Sequence, residues 1–538
     1  MRFSSALLFL ALTVAGCDSK KETPSMGSGT GYPKEGAGAE ARYARAKQLL
    51  AEAGFPDGKG FPKLEILYNT DEGHKRIAAY LQQEWRKKLG IEVELRNSEW
   101  KVYLDDMSKL RYQIMRRGWI GDYRDPMTFI ELFTSHSGNN NTGWANADFD
   151  KLVKEAGAEA DPKKRLEILS RAEKILLDEM PAIPLYFYVS SDCWKDSVKG
   201  VYQNIQDIHP WKEVWIDGKD TLVINNATEV QTLDPGLARG QPEHRVTLAL
   251  FEGLTAYDPK TLDARPGVAE KWDISPDGKT YTFHLRDSEW SDGKKVTAGD
   301  FVYAWTRILD PATPTDYAHL LYFLKGAEAF NQKKNTDRSS VAVRAKNDRT
   351  LEVELEHPVP FFPELCAYFT FNPVRKDVIE KHGSQWTRPE NMVVNGPFKP
   401  ASWKPTDSIV VEKNPKYWDA GKVKLPKIKF LPIENRTTAW SLYKEGQCDW
   451  VTTLPVELIE EIIKRPDYHG DTFLGTYYYS FNVTHGPLKD KRVRKALALA
   501  IDRGTLTSKI TKQGQTPAYH ITPPIFDAYK SPRLDDKD

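Results

Sequence analysis

The spacing of apolar residues along the first third of the chain changes between a helical and a strand period. Residues 40–53 repeat at helical spacing up to Gly54, and residues 64–68 then alternate as a strand does. A second helical repeat and a second alternating run follow, at Ile77, Leu81, Trp85 and Leu89 and at residues 91–95. This order predicts a β-α-β unit whose helix crosses over a sheet.

The rest of the chain carries both kinds of period. Asp161 and Pro162 are typical of a helix N-cap and a first helical residue, which predicts a helix from there to about Glu179. Short alternating strands separated by Asp-Gly turns are predicted between residues 266 and 293. Further elements are predicted as strands at 183–189, 221–224 and 408–411 and a helix from Ala298 to Leu309. The pattern contains no internal repeat and predicts a combination of α/β and α+β lobes.

Composition narrows the class of partner. The 538 residues exceed one ordinary domain, so two or three domains are expected. Lys and Arg number 76 against 75 Asp and Glu, a balance that gives no electrostatic reason to expect nucleic acid. Fifteen Trp and 24 Tyr favour a cleft lined with aromatic side chains for a neutral ligand.

The N-terminus predicts export. Arg2 precedes a short apolar run over residues 6–12, and residues 14–17, Val-Ala-Gly-Cys, resemble the bacterial lipobox. We therefore expect a signal peptide over 1–16, a lipid on Cys17, and a flexible tether over 17–39. The remainder is predicted to work in the periplasm or cell envelope, anchored through that lipid.

Three cysteines remain after Cys17, namely Cys193, Cys366 and Cys448, so at most one disulfide can form among them. Buried thiols and a single pair are both compatible with an oxidising compartment. Their spacing fits no metal site, and no cofactor is predicted.

The stretch from Arg116 to Pro126 has the residue types of a ligand wall. Gly118 and Gly121 allow close backbone approach, Trp119 offers an aromatic face, and Asp122 offers a carboxylate among bulky neighbours. A buried carboxylate needs a cation or several donors to stay ionised, and a peptide α-amino group is one such cation. The alternative is an Asp that caps a loop beside a structural Trp.

Several motifs resemble the oligopeptide-binding proteins that supply ABC importers. They include residues 281–286 (Tyr-Thr-Phe-His-Leu-Arg), 290–293 (Trp-Ser-Asp-Gly), 395–398 (Asn-Gly-Pro-Phe), 476–479 (Thr-Tyr-Tyr-Tyr), 493–497 (Val-Arg-Lys-Ala-Leu) and 522–524 (Thr-Pro-Pro). Residues 40–216 resemble the C-terminal part of that family and residues 221–538 its N-terminal part. This order describes a circular permutation in which residues 217–220 join the old ends.

The resemblance implies an α/β fold of the periplasmic-binding-protein type II, with two hinged lobes and an extra α+β domain. In the permuted order, lobe III would comprise 40–190 and 475–538, lobe I would comprise 191–251 and 377–474, and extra domain II would comprise 252–376. Tolerance of such a cut requires old termini that lie close together and a new break in an exposed loop.

The same resemblance implies ligand contacts, residue by residue. Asp122 matches the acid that meets the peptide α-amino group, beside Trp119 in the same wall. Main-chain contacts are matched by Gly118, Ile120, Arg239, Gly240, Gln241 and the segment from Gly475 to Tyr477. Side-chain pockets are matched by Trp100 and Tyr317, and cations near the peptide carboxylate by Arg116 and His74. Two departures stand out: a disulfide known in some members is absent because its positions are Ile120 and Gly475, and Arg239 stands where well-known members have Glu.

The function implied is a monomeric, non-enzymatic lipoprotein that captures short peptides and delivers them to an inner-membrane ABC permease. A peptide sensor or a murein-peptide-binding lipoprotein of the same fold is the alternative. A secreted peptidase is disfavoured, because the chain lacks His-Glu-x-x-His and Gly-x-Ser-x-Gly, and the Ser-x-x-Lys spacing of Ser441 and Lys444 has no partner motif.

Overall fold

The predicted β-α-β unit is present in the computed structural model, which describes residues 37–159 and 161–534. Strand β1 (Leu64–Asn69) pairs in parallel with β2 (Val93–Ser98), and helix α2 (Glu72–Leu89) connects them. The side chain of Asp71 caps α2 by accepting a bond from the amide of His74 at 3.0 Å. Gly90 ends it at φ +69°, a left-handed conformation that glycine adopts without a side-chain clash. The predicted signal peptide, Cys17 and most of the predicted tether lie outside the described residues.

Strands come from every part of the described chain. The remaining strands are β3 Ile114–Ile120, β4 Ala182–Trp194, β5 Val198–Lys199, β6 Trp215–Ile216, β7 Thr221–Asn225, β8 Thr255–Tyr257, β9 Ala264–Pro266, β10 Ala269–Ile274, β11 Thr280–Leu285, β12 Val343–Asn347, β13 Thr350–Glu354, β14 Phe398–Lys404, β15 Ser408–Lys413, β16 Lys427–Leu431, β17 Trp450–Val451, β18 Tyr468–Phe481 and β19 Thr516–Pro517.

The helices confirm the periodic segments to within a few residues. Beside α2 they are α1 Ala37–Glu52, α3 Trp100–Ser108, α4 Met127–Ile130, α5 Ala147–Ala158, α6 Pro162–Glu179, α7 Gln241–Leu250, α8 Ala298–Ile308, α9 Ala327–Asn331, α10 Phe362–Leu365, α11 Lys376–His382, α12 Arg436–Lys444, α13 Ile459–Ile462, α14 Lys491–Leu499 and α15 Arg503–Thr505. The predicted cap of α6 is confirmed, since the Asp161 side chain accepts from the Lys164 amide at 2.9 Å.

One large sheet contains strands from both the first and the last parts of the described chain. Its strand order is β14-β15-β16-β7-β17-β4-β18-β3-β1-β2, and β19 pairs with β4. The long antiparallel strands β4 and β18 continue from one half of this sheet into the other. At one end they lie beside β3, and at the other β4 pairs with β17. Because these two strands connect the two halves of the sheet, they lie where a hinge between the halves would lie.

A separate antiparallel sheet forms the part predicted as the extra domain. Its order is β10-β11-β13-β12, and α8 packs against it. The alternating burial of β11, with Tyr281, Phe283 and Leu285 buried, matches the strand period predicted there.

A buried carboxylate ties the C-terminal segment to α6. Glu173 is fully buried, and its Oε1 accepts bonds from the amides of Ile521 and Thr522 at 2.9 and 2.8 Å. Its Oε2 accepts a 2.8 Å bond from the hydroxyl of Tyr529. A side chain from the first third of the chain therefore satisfies polar groups of the last twenty residues described.

The three cysteines in the described part of the chain are buried free thiols. Within that same part, no helix has both the length and the apolar character needed to cross a membrane.

Glu173→Ala should lower the free energy of unfolding by about 3 kcal/mol, because it leaves two amides and a hydroxyl unpaired in the interior. Denaturant unfolding measures this difference. Glu167→Ala, on the exposed face of the same helix, is the matched control and should change stability by less than about 0.5 kcal/mol. Equal losses in both variants would contradict the assignment.

Candidate functional site

A cleft of about 880 Å³ lies beside β3 and is lined by segments distant in sequence. Ten of the residues proposed from the sequence line it: Trp100, Arg116, Gly118, Trp119, Ile120, Asp122, Arg239, Gly240, Gln241 and Tyr317. The structure therefore brings most of the predicted ligand wall to one cavity.

Residues 116–122 all line the cleft, so it is bordered by residues from both faces of β3 and from the turn that follows. Arg116, Gly118 and Ile120 are half-buried while Arg117 and Trp119 between them are buried, as expected when successive residues point to opposite sides. A Cβ at Gly118 would overlap the hydroxyl of Tyr188. Glycine is needed there to admit that tyrosine as well as any ligand.

Asp122 is buried at the end of this wall. Its amide donates to Thr128 Oγ1 at 3.1 Å, and its Oδ1 accepts from the hydroxyl of Tyr368. Its Oδ2 is buried and has no hydrogen-bond partner among the described residues. Burial raises the pKa of Asp122 to about 7, against the opposing effect of the Tyr368 bond. The site has the chemistry to accept a cation at Oδ2.

Aromatic rings flank the cleft. Trp119 and Tyr317 stack with centroids 6.3 Å apart, and Trp100 stacks on Tyr103 at 5.6 Å. These rings provide apolar walls between the charged groups.

Arg116 is the cation on the same face of β3 as Gly118. Its guanidinium lies 4.7 Å from the ring centroid of Tyr477 and donates to the Tyr188 hydroxyl at 2.8 Å. Its Nε is buried without a partner, and none of the described carboxylates lies within ion-pair distance. A guanidinium stays charged at any working pH, so this group can receive an anion.

His74 does not lie in the same cavity as Asp122. It lines a second chamber, which Gln241 shares with the first, and its Nδ1 is 3.2 Å from the hydroxyl of Tyr477. Burial, with the charges of Arg116 and Arg436, holds the pKa of His74 well below its usual range. The role of His74 as a cation near the peptide carboxylate stays a prediction.

Gly475 and Tyr477 lie in the strand beside β3, and their main-chain contact with a ligand stays a prediction. Both are buried in β18, paired with Ile120 and Gly118 of β3, and neither lines the cleft. A Cβ at Gly475 would overlap Ile120 and Tyr188, so the residue is needed for close packing of the sheet.

Ion pairs connect the segments assigned to different lobes. Arg436 forms a bidentate pair with Asp71 at 2.8 and 2.9 Å. Arg124, which follows the ligand wall, contacts Asp263 at 2.7 Å and also pairs with Glu364. These contacts join segments that are far apart in the chain.

One buried cluster offers ligand atoms for a metal, formed by Asp192, Asp207 and His209. His209 Nε2 lies 2.9 Å from Asp207 Oδ1, and Arg245 lies 3.3 Å from Asp207 Oδ2. Burial and the charge of Asp207 raise the pKa of Asp192. The arginine already supplies positive charge there, so the cluster fits a charge network better than a metal site.

Sequence reasoning missed Tyr368, Tyr188, Arg117 and Asp316, which contribute to the cleft or to its wall. Tyr368 is 246 residues from Asp122, so no local motif links them. Arg117 lies within the predicted ligand wall. Its position next to Arg116 in the sequence is the feature that could have marked it as a second cation.

Comparison with known proteins defines the class. The family described as bacterial extracellular solute-binding proteins, family 5 Middle, matches residues 15–141 and 263–538, more than half of the chain. The chain belongs to this family, and its fold is that of the type II periplasmic-binding proteins.

Particular relatives make the likeness specific. The periplasmic oligopeptide-binding protein OppA of Salmonella typhimurium is 42% identical over 325 residues, which cover 59% of each chain. The periplasmic murein peptide-binding protein MppA of Escherichia coli is 39% identical over 314 residues, covering 57% of each. The structure of Haemophilus influenzae OppA in complex with RPPGFSPFR is 35% identical with a TM-score of 0.57, covering 60% of this chain and 64% of that one. The chain thus spans about three fifths of the length of the curated relatives it matches.

The raised pKa of Asp122 has a consequence for stability. The folded ligand-free protein retains a proton to about pH 7 that the unfolded chain releases near pH 4, so the contribution of Asp122 is lost as pH rises between these values. Asp122→Asn has a neutral side chain at every pH. Relative to the parent, its free energy of unfolding should therefore rise by on the order of 3 kcal/mol between pH 4 and pH 8. Denaturant unfolding at both pH values measures it, and a difference that does not change with pH would contradict the assigned burial of the charge.

Proposed function

We propose that this protein captures short peptides in its closing cleft and delivers them to an ABC import permease. The observation that carries the proposal is the pair of uncompensated charges in one cavity, the Asp122 carboxylate oxygen without a partner and the Arg116 guanidinium without a carboxylate. A peptide with free termini offers one ammonium and one carboxylate, which complement these two groups.

The binding mode we propose uses termini and backbone. Gly118, Ile120 and the segment 239–241 present main chain to the cleft, and main-chain pairing fixes a peptide without reading its side chains. Trp100 and Tyr317 bound the space left for side chains. The names of the relatives, an oligopeptide-binding and a murein peptide-binding protein, support a peptide as ligand.

The proposal also includes the setting. The protein would act as a monomer in the periplasm, anchored through a lipid on Cys17. No catalytic role and no cofactor are proposed. Of the second candidates, murein-peptide binding has the MppA likeness in its favour. A murein tripeptide that binds better than a trialanine of equal length would favour that reading, and cleavage of a peptide pool would favour a peptidase.

Asp122→Ala should weaken binding of peptides with a free amino terminus at least about a hundred-fold, because it removes one partner of a buried charge pair. Acetylated peptides should bind the parent protein as poorly. Titration calorimetry with ligand-free protein measures both.

Asp196→Ala is the matched control, since Asp196 is fully exposed and pairs with Lys199 at 3.0 Å. It should bind like the parent. Equal affinity of the parent for acetylated and free peptides would remove Asp122 from the proposed site.

We propose, finally, that the chain is a circular permutation, with the lobe boundaries expected from the resemblance. Two observations support this. Residues 217–220 form an exposed turn between β6 and β7, as a joint between old ends would. The second observation concerns the two ends of the described chain. Arg42 lies 5.6 Å from the ring of Tyr519, and the carbonyl of Tyr519 accepts a hydrogen bond from the Leu534 amide. The two described ends are therefore neighbours.

A reordered chain, with residues 221–538 ahead of 40–216 behind the same leader, should therefore fold and bind the same peptides. Its stability should differ by no more than a few kcal/mol, since closure entropy depends weakly on loop length. Thermal unfolding followed by circular dichroism, together with calorimetry, compares the two chains. A reordered chain that melts without cooperativity while the present one melts cooperatively would refute the permutation.

A further inference from the structure

Arg117 is a second guanidinium in the cleft wall for which the two peptide termini provide no partner. We propose that Arg117 makes the cleft select peptides that carry one acidic side chain. This inference rests on the proposed peptide-binding function and adds the class of side chain that the site prefers.

The surroundings of Arg117 hold it in place without neutralising it. Its Nη1 donates to Asn141 Oδ1 at 2.8 Å and lies 2.7 Å from the sulfur of Met107, and its Nη2 is 3.5 Å from the carbonyl of Asn139. All of these acceptors are uncharged. Among residues 37–159 and 161–534, no carboxylate lies within ion-pair distance of this guanidinium.

Several other arginines with little exposure in the described residues have carboxylate or backbone partners. The half-buried Arg307 and Arg436 bind Asp234 and Asp71, each through two hydrogen bonds, while the buried Arg494 donates to the backbone carbonyls of Glu179 and Leu488. Burying a charge is costly, and a bidentate carboxylate compensates it most strongly. Arg117 is 7% exposed, has no carboxylate within ion-pair distance among the described residues, and lines the cavity.

The charged residues that line the cleft include one more arginine than aspartate. The charged lining residues are Arg116, Arg117, Arg239, Asp122 and Asp316, and His244 is neutral because burial lowers its pKa to about 3. Asp316 lies 3.0 Å from Arg239, and the charge of Arg117 also acts on it, so one carboxylate faces two arginines. A bound peptide would supply an ammonium to Asp122 and a carboxylate to Arg116. A Glu or Asp side chain of the ligand would supply the second negative charge that Arg117 and Arg239 together call for.

The walls near Arg117 suit such a side chain. Trp100, Leu104 and Met107 also line the cavity, and they give apolar contact for the methylene groups that precede a ligand carboxylate. The guanidinium provides a planar donor pair for the carboxylate itself.

The test on the parent protein compares isosteric peptides. Alanine tripeptides are made with Glu, Gln or Lys at the first, second or third position, and their binding to ligand-free protein is measured by calorimetry. At one position Glu should bind at least about ten-fold more tightly than Gln, and Lys more weakly than Gln, because only Glu brings the missing negative charge. Equal affinity of Glu and Gln at all three positions would overturn the proposal.

A variant then assigns the effect to the residue. Arg117→Met removes the charge and should abolish the preference for Glu over Gln while trialanine still binds. Arg117→Lys keeps the charge and should retain a smaller preference. If Arg117→Met keeps the full preference, another cation is responsible and the assignment to Arg117 is wrong. If Arg117 only supports the 139–142 loop, both variants lose stability and the parent shows no Glu preference.

Failure of this inference is distinguishable from failure of the proposed function. Tripeptides that bind with no preference for Glu refute the role of Arg117 and leave peptide capture standing. Absence of binding for every free tripeptide, Glu peptides included, refutes both.

Discussion

The burial of the Asp122 carboxylate without a cation is the constraint on which the rest of the cleft depends. A buried acid with an unpartnered oxygen is unfavourable when ionised, and among the described side chains only the Tyr368 hydroxyl donates to this carboxylate. In the proposed function a cationic ligand group would relieve that cost. Affinity and selectivity for such a group would then arise from the same unfavourable arrangement, which the surrounding fold must be stable enough to hold.

The large sheet supplies that stability and the geometry of the cleft. Strand β3 lines the cavity with residues of both its faces, while the neighbouring strand β18 packs Tyr477 against Arg116. The long strands β4 and β18 continue through both halves of the sheet, so the halves can turn about them without breaking the ladders within each half. The ion pairs Arg436–Asp71 and Arg124–Asp263 connect parts on different segments and are the contacts that an opening would break.

The charges in the cleft depend on local partners, not on the net charge of the chain. Arg239, which stands where well-known family members have Glu, lies 3.0 Å from Asp316. The chain as a whole is almost neutral, with 76 basic and 75 acidic residues, and this says nothing about the cavity. Arg116 and Arg117 have no carboxylate within ion-pair distance among the described residues, and the arrangement of the surrounding segments decides this.

The sequence by itself determined the periodic elements, the family and most of the wall. Helical and alternating periods reflect which face of each element is buried, so α2, α6 and the strands around them could be predicted locally. The stretch 116–122 could be recognised because small, aromatic and acidic residues occur together in one strand and its following turn. The tertiary structure decided the rest. Tyr368 meets Asp122 across 246 residues, Asp316 meets Arg239, and burial beside two arginines lowers the pKa of His74. The hydrogen-bond partners, the burial and the pKa of a side chain depend on distances between segments far apart in the chain. The hydrophobic period of each segment does not predict those distances.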